Sequence, residues 1–333
     1  MNRLQHLENW IQQQYPEMSF TLQPASVDAS FRRYFRVISD NETFIAMDAP
    51  PQQEDCTPFV HVAQLLEQAV NVPTIRAKDL GQGFLLLSDL GNLTYLQALT
   101  DQPEEANSLY SEATDALIKM QLTRHLDDLP QYDEALLRFE LSLFPDWYIA
   151  RHLQLDLSAV QKTVLEQVFT RIVQNNLSQP RVFVHRDYHS RNLMVTTPNP
   201  GILDFQDAVV GPVTYDLVSL LKDAYITWDE ERILDWAIRY WEKARNAGLP
   251  VADDFGDFYR DFEWMGVQRH IKVLGIFARL CYRDSKNAYL DDMPLVMNYL
   301  RKACERYHEL RPLLGLLDEL DNNASESKVG YTF

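Results

Sequence analysis

Glycine is scarce in this chain of 333 residues: there are 11, and none precedes Gly81. That excludes a glycine-built phosphate loop of the Walker A or Rossmann type from the first 80 residues, because both need glycines where a strand turns into a helix. Neither pattern occurs later. The three cysteines, Cys56, Cys281 and Cys304, stand far apart with no C-x-x-C pair. So sparse and odd a set excludes a disulfide scaffold and reads as reduced thiols in a reducing compartment. Long apolar runs are also missing. Nothing approaches the roughly 18 residues of a membrane span, and the polar start, Met1 to His6, lacks the apolar stretch of a secretory signal. The expected location is the cytoplasm. Positive charge is in deficit, with 31 Lys and Arg against 48 Asp and Glu, a net charge of −17. So acidic a surface disfavours nucleic acid and anionic membrane as partners, and no feature calls for an obligate protein partner. The remaining composition, 46% hydrophobic and 24% charged, is that of an ordinary globular protein long enough for about two domains.

Apolar residues at helical spacing (Leu4, Leu7, Trp10, Ile11) predict an opening helix over residues 3–15, ended by Pro16. Phe31 to Ile38 and Thr43 to Met47, around a polar turn, predict a hairpin. A helix over Val60 to Val70 and a second hairpin around Gly81-Gln82-Gly83 follow, and Gly91 closes the segment. Beyond it, residues 93–99, 104–122, 136–152 and 158–175 read as helices. Short strands surround residues 181–184, 193–196 and 201–203, and helices return from Tyr215. The expected organisation is an N-terminal lobe over 1–91, a mainly helical lobe over 92–320 and a mobile tail over 321–333.

Residues 185–192 read His-Arg-Asp-Tyr-His-Ser-Arg-Asn, an H-R-D-x-x-x-x-N pattern with Asp187 and Asn192 at the required spacing. Asp204-Phe205 follows twelve residues later at the end of a strand-like run. Residue types explain the chemistry. Transfer of a phosphoryl group needs Mg2+ on the phosphates, and this ion prefers hard oxygen ligands, usually only one or two of them from protein. The Asp204 carboxylate and Asn192 amide oxygen suit that role, and Asp187 suits alignment and deprotonation of the acceptor hydroxyl. A metal pair of His185 and His189 is the weaker reading, with no third His or Cys nearby.

Residues 181–220 resemble the aminoglycoside phosphotransferase and choline kinase family, relatives of the protein kinases. His189 matches the family's second loop histidine, and Gly211-Pro212-Val213-Thr214-Tyr215-Asp216-Leu217 fits the stretch after its magnesium aspartate. The resemblance implies an α+β, bilobal protein-kinase-like fold with a small mixed α/β N-lobe, a larger helical C-lobe and ATP bound between them. It also implies that Asp216 starts a helix and anchors the catalytic loop, with His185 in support, though a plain N-cap explains Asp216 equally well. Five stretches are similar to one branch, the anomeric kinases of N-acetylmuramate and N-acetylglucosamine in bacterial cell-wall recycling. These are Ala29 to Val37, Met47 to Pro51, Phe183 to Met194 with Leu203 to Ala208, and Met265 to Gly275.

The family pattern is broken in two places. The loop over residues 29–36 has no glycine, and Asp48 stands where strand alignment expects lysine; the one lysine in residues 1–92 is Lys78. Arg32, Arg33 and Arg36 cluster nearby, and Arg32 or Arg36 is the expected phosphate cation, with solvated surface arginines as the alternative. Asp48 is expected to pair with one of these arginines. Strand alternation puts Arg32, Tyr34 and Arg36 on one face, with Phe31, Arg33, Phe35 and Val37 on the other. By resemblance, Leu87 and Asp89 lie at the hinge that meets adenine. His189, Asp207, Trp264 and Arg269 are the sugar-site candidates, Trp264 for stacking and Arg269 for a lactyl carboxylate; a core role serves Trp264 equally. Another acceptor (aminoglycoside, choline, homoserine) or a pseudokinase binding module are the alternatives.

Overall fold

The computed structural model describes residues 2–27, 31–40 and 42–329. In chain order, α1 (Arg3–Gln14) is followed by β1 (Phe20–Val27), β2 (Arg33–Ser39), β3 (Thr43–Asp48), α2 (Thr57–Leu66), β4 (Ile75–Asp79), β5 (Phe84–Ser88), α3 (Tyr95–Asp101) and α4 (Ala106–Gln121). Next come α5 (Glu134–Leu143), a π-helix (Phe144–Leu153), α6 (Ala159–Ser178), β6 (Arg181–Val184), the short β7 (Leu193–Met194) and β8 (Gly201–Ile202), and β9 (Val209–Pro212). The chain ends with α7 (Tyr215–Leu221), α8 (Glu230–Asn246), α9 (Phe255–Asp284), α10 (Met293–Arg306) and α11 (Arg311–Val329). Contacts divide it into two units: Met1–Thr123 with Arg191–Ala208, and Arg124–Ser190 with Val209–Phe333.

The first unit is a five-stranded antiparallel sheet in the order β1-β2-β3-β5-β4. Alternation along its strands sorts two faces. Val37, Phe44, Ala46, Phe84 and Leu86 pack against Leu7, Trp10 and Ile11 of α1. Tyr34, Arg36, Ile45 and Leu87 point the other way and line a cavity. A capping box starts α1: the Asn2 side chain accepts the Gln5 N–H at 2.9 Å, and the Gln5 side chain accepts the Asn2 N–H at 3.0 Å. Edge strand β1 has no counterpart in the sequence reading. Pro24 and the register shift between Pro24 and Ser26 hide its alternation. Phe31, expected on the packed face, precedes β2 and is 63% exposed.

The unit boundary differs from the one expected at residue 91. Helix α3 stays with the sheet because Val195 N–H bonds to the Leu93 carbonyl at 2.8 Å and Thr94 pairs with Met194. The β7–β8 hairpin is anchored again where Ile202 N–H meets the Asn71 carbonyl at 2.8 Å. Residues 321–329 of the expected tail continue α11, and residues 330–333 lie outside the described residues.

In the second unit, α9 is the axis. Every residue from Phe262 to Gly275 is buried, as a helix covered on all sides requires, with α5, α6, α7, α10 and the π-helix packed around it. Gly275 permits the closest approach: a Cβ there would lie 2.5 Å from the Leu143 carbonyl carbon. Gly275→Ala should therefore cost about 1–3 kcal/mol, read from denaturant unfolding, because the obstruction is backbone and has nowhere to retreat. An unchanged midpoint would show that α9 and α5 can separate freely. Strand β6 pairs antiparallel with β9, and the segment after β6 carries His185 to Ser190.

Candidate active site

The cavity of the first unit has a volume of about 370 Å³. Leu87, Ser88, Asp89 and Leu90 form one wall, Tyr34, Arg36 and Ile45 another, and Asn192, Met194 and Asp204 the far end. Arg36 is clasped there: its guanidinium reaches Asp89 at 2.6 and 3.0 Å, the Gly91 carbonyl at 2.9 Å and the Asn92 side chain. Burial works against charge on Asp89, but Arg36 and the Gly91 N–H outweigh it and hold the carboxyl below its usual range. Arg36 thus shapes the segment after β5, and its fork is spent on protein rather than left for phosphate. Arg32 differs. Its Nε lies 3.4 Å from Glu54 Oε2. Burial opposes its charge, yet Tyr34, Glu54 and Asp204 together keep the guanidinium firmly protonated.

Asn192 and Asp204 flank the β7–β8 hairpin. The Leu203 N–H bonds to the Asn192 carbonyl at 2.9 Å, and the Asn192 amide group lies 3.4 Å from Asp204 Oδ2. Asp204 sits at φ +64°, a left-handed conformation that a non-glycine residue adopts at a cost. Phe205 locks it from behind, fully buried with its ring 4.8 Å from that of Phe59. Gln206 Nε2 donates to Asp204 Oδ1 at 2.8 Å. Among the described residues, no group of three or more His, Cys, Asp or Glu could hold a metal ion. One carboxylate beside one amide nevertheless suits magnesium, which keeps water and phosphate for its remaining positions.

In the second unit the loop after β6 is held from beneath. Asp216, fully buried in the first turn of α7, accepts the backbone N–H of His185 at 2.6 Å and of Arg186 at 2.9 Å. The N-cap of α7 is Thr214, so Asp216 spends its carboxylate on the loop rather than on its own helix. Burial pushes that carboxyl up to about 7, even with two N–H donors and Arg269 favouring the charge. Arg186 takes a left-handed φ of +78°. His185 Nδ1 accepts the Asp187 N–H at 3.2 Å, which sets the half-buried Asp187. Burial again disfavours charge at Asp187, but Lys272, Arg269, His189 and Arg186 outweigh it and bring its carboxyl down to about 2.

A profile of the phosphotransferase enzyme family matches residues 21–253. The chain belongs to this family. Among curated members, the N-acetylmuramate/N-acetylglucosamine kinase of Pseudomonas aeruginosa is 51% identical over 97% of this chain and 98% of its own. The enzyme of that name from Neisseria meningitidis serogroup B is 49% identical over 100% of both chains. That of Caulobacter vibrioides is 30% identical over 82% of this chain and 85% of its own. Solved phosphotransferases share the fold. The GDP complex of aminoglycoside 2'-phosphotransferase-IIIa gives a TM-score of 0.61 at 15% identity, covering 92% of this chain and 100% of its own. A choline kinase from Streptococcus pneumoniae gives 0.60 at 11% identity, covering 89% and 99%. The α+β, protein-kinase-like architecture is therefore that of this phosphotransferase.

Other candidate residues divide: Asp48 pairs with an arginine of the cluster, as expected, whereas Trp264 and Arg269 are buried in α9. Asp48 is buried and faces α1, where it accepts Arg3 Nε at 2.6 Å and pairs with Arg33 directly across β2–β3. Alternation decides this: Asp48 shares the face of Ala46, while Ile45 lines the cavity. Trp264 is 3% exposed beneath Arg260 and edge-on to Tyr307, so it has no open face on which a sugar could stack. Arg269 is buried and donates to the Arg186 carbonyl at 3.0 Å, which makes it a support of the loop rather than a cation free for a carboxylate. Asp207 is exposed, and His189 packs edge-on against Tyr225. Asp223 was not singled out by the sequence. It accepts the Ser190 N–H at 3.0 Å and its hydroxyl at 2.5 Å, closing the loop's C-terminal end. Glu54, Glu140 and Lys272 were not singled out either. An isolated Glu or Lys carries no spacing signal, and only the hydrophobic neighbours of Lys272 hint that its charge is buried and paired.

Proposed function

We propose that this phosphotransferase is an ATP-dependent kinase of the anomeric C1 hydroxyl of N-acetylmuramate and N-acetylglucosamine, working in the cytoplasm in cell-wall sugar recycling. The observation that carries the reading is identity near 50% over the whole chain with kinases that bear those two sugars in their names. Supporting it is the complete H-R-D-x-x-x-x-N pattern with Asp204 beside Asn192. The three cysteines are buried and form no disulfide among the described residues.

In this reading the first unit's cavity takes the nucleotide. Leu87 to Leu90 meet the base, and Arg32, steadied by Glu54, supplies the phosphate cation in place of the family's lysine. Asn192 and Asp204 hold magnesium, which when bound neutralises charge on the phosphates. Asp187 aligns the C1 hydroxyl. Its oxygen forms the new bond to the γ-phosphorus, the bond from that phosphorus to the ADP oxygen breaks, and the proton passes to Asp187. A carboxyl that titrates at about 2 is a weak base. Proton transfer therefore comes late, once bond formation has made the hydroxyl strongly acidic, and the anomeric hydroxyl, already more acidic than an ordinary alcohol, eases it.

The test is nucleotide consumption with N-acetylmuramate, N-acetylglucosamine, choline, homoserine and kanamycin in parallel, with phosphorus spectra of the products. A sugar 1-phosphate is expected. Turnover with a different acceptor would discard the recycling role, and nucleotide binding without turnover would favour a pseudokinase. Asp204→Asn is expected to lower kcat by roughly a hundredfold or more and to raise the magnesium concentration needed for half-activity. An unchanged magnesium requirement would remove Asp204 from the metal site.

A further inference from the structure

A buried charge cluster beneath the second unit's loop has no part in the reaction as derived so far. Glu140 on α5, 2% exposed, accepts Arg186 Nη2 at 2.6 Å, Lys272 Nζ at 3.0 Å and the Tyr132 hydroxyl. Lys272 on α9, 5% exposed, also donates to the Tyr215 hydroxyl at 2.9 Å. Arg269, one turn earlier on α9, donates to the Arg186 carbonyl at 3.0 Å and lies over the Tyr215 ring. A buried ammonium is costly unless it is paired and hydrogen-bonded, and here two separate elements, α5 and α7, are committed to holding one. Burial by itself would lower the Lys272 pKa, yet Glu140, Tyr215 and Asp187 raise it above the ordinary lysine value.

We propose that Lys272 is a positioning residue for Asp187: anchored on Tyr215 and on Glu140, which also holds Arg186, its ammonium is a fixed cation of the cluster that supports the loop and keeps the carboxylate in place. This rests on the reading of Asp187 as the kinase base. The charged groups acting on Asp187 are Lys272 and Arg269 from α9, Arg186 and His189 from the loop itself, and Asp216 from α7. Lys272 is the largest attraction among them. It is also the one held by two side chains outside the loop, so its position does not depend on the loop's own conformation.

The experiment is the pH dependence of kcat at saturating nucleotide, magnesium and sugar for the wild type, Lys272→Gln and Lys272→Arg. Glutamine can still donate to Glu140 and Tyr215 but carries no charge; arginine keeps the charge. The wild type is expected to show no loss from Asp187 down to the lowest pH at which it stays folded. Lys272→Gln should bring in an acid limb displaced upward by about three pH units, seen as a roughly fourfold drop between about pH 6 and pH 4.5. Lys272→Arg should restore the flat profile. A role confined to packing would change stability and leave both profiles flat, and that result overturns the proposal. So does an acid limb in both variants. Should Lys272→Gln not fold, Lys272→Met, an apolar side chain of similar length, carries the same test. If the wild type phosphorylates neither sugar, it is the kinase reading that fails, and the same profile is then taken on the acceptor that is turned over.

Discussion

Asp187→Asn should lower kcat by roughly a hundred- to ten-thousandfold, the usual span for a positioned acid–base group, while the protein folds normally. Asparagine keeps the shape and loses the charge, and the backbone N–H of Asp187 keeps its bond to His185. Nucleotide affinity should change little, because the cavity is lined entirely by residues of the first unit. The wild type bears on the same point. A carboxyl lowered to about 2 is charged throughout the range above its ordinary value, and that charge is lost only as pH falls through about 2. Asp187 should therefore impose no acid limb on kcat between about pH 5 and pH 8. Near-normal turnover by Asp187→Asn would end the mechanism proposed above.

Glu140→Ala should lose about 3–5 kcal/mol of stability, the range for removing one partner of a buried ion pair. The reason lies in what stays behind. Arg186 and Lys272 would lose the carboxylate that both of them contact, and the Tyr132 hydroxyl would lose its acceptor. Burial opposes charge on Glu140, but Lys272, Arg186 and Tyr132 hold its carboxyl below the usual range. It is thus a stable anion and not a group that protonates to escape. Chemical denaturation decides the matter: a loss below about 1 kcal/mol is the behaviour of a surface pair and would mean that water enters the cluster.

Residues that act as neighbours in the chain were legible before any coordinates. Asp187 and Asn192 are five positions apart in one loop, and Asp204 ends the strand that returns from it, so a contiguous pattern carries them. The short strands around them could be placed because apolar triplets between turn residues leave few other options. Edge strand β1 could not, because Pro24 and a bulge interrupt its period. The helix that runs into the tail could not be read from composition, since its start rests on Leu313, Leu316 and Leu317 in the core.

The arginines draw the line more sharply. Three of them in five residues, with no lysine on the strand and no glycine in the loop, identify the cations available to the first unit. Which one a ligand could meet depends on partners 15 to 56 positions away: Glu54 for Arg32, Asp48 for Arg33, Asp89 and Asn92 for Arg36. Arg269 and Trp264 were plausible substrate contacts as residue types, and burial in α9 removed both. The sequence by itself determined the family and nominated Asp187, Asn192 and Asp204 as the site candidates, because that pattern is written within eighteen positions of one another. Only the tertiary structure decided the charge partners, since α5, α7 and α9 bring Glu140, Tyr215 and Lys272 into one buried cluster with Arg186 from positions up to 132 residues apart, and Coulomb energy depends on distance in space, not along the chain.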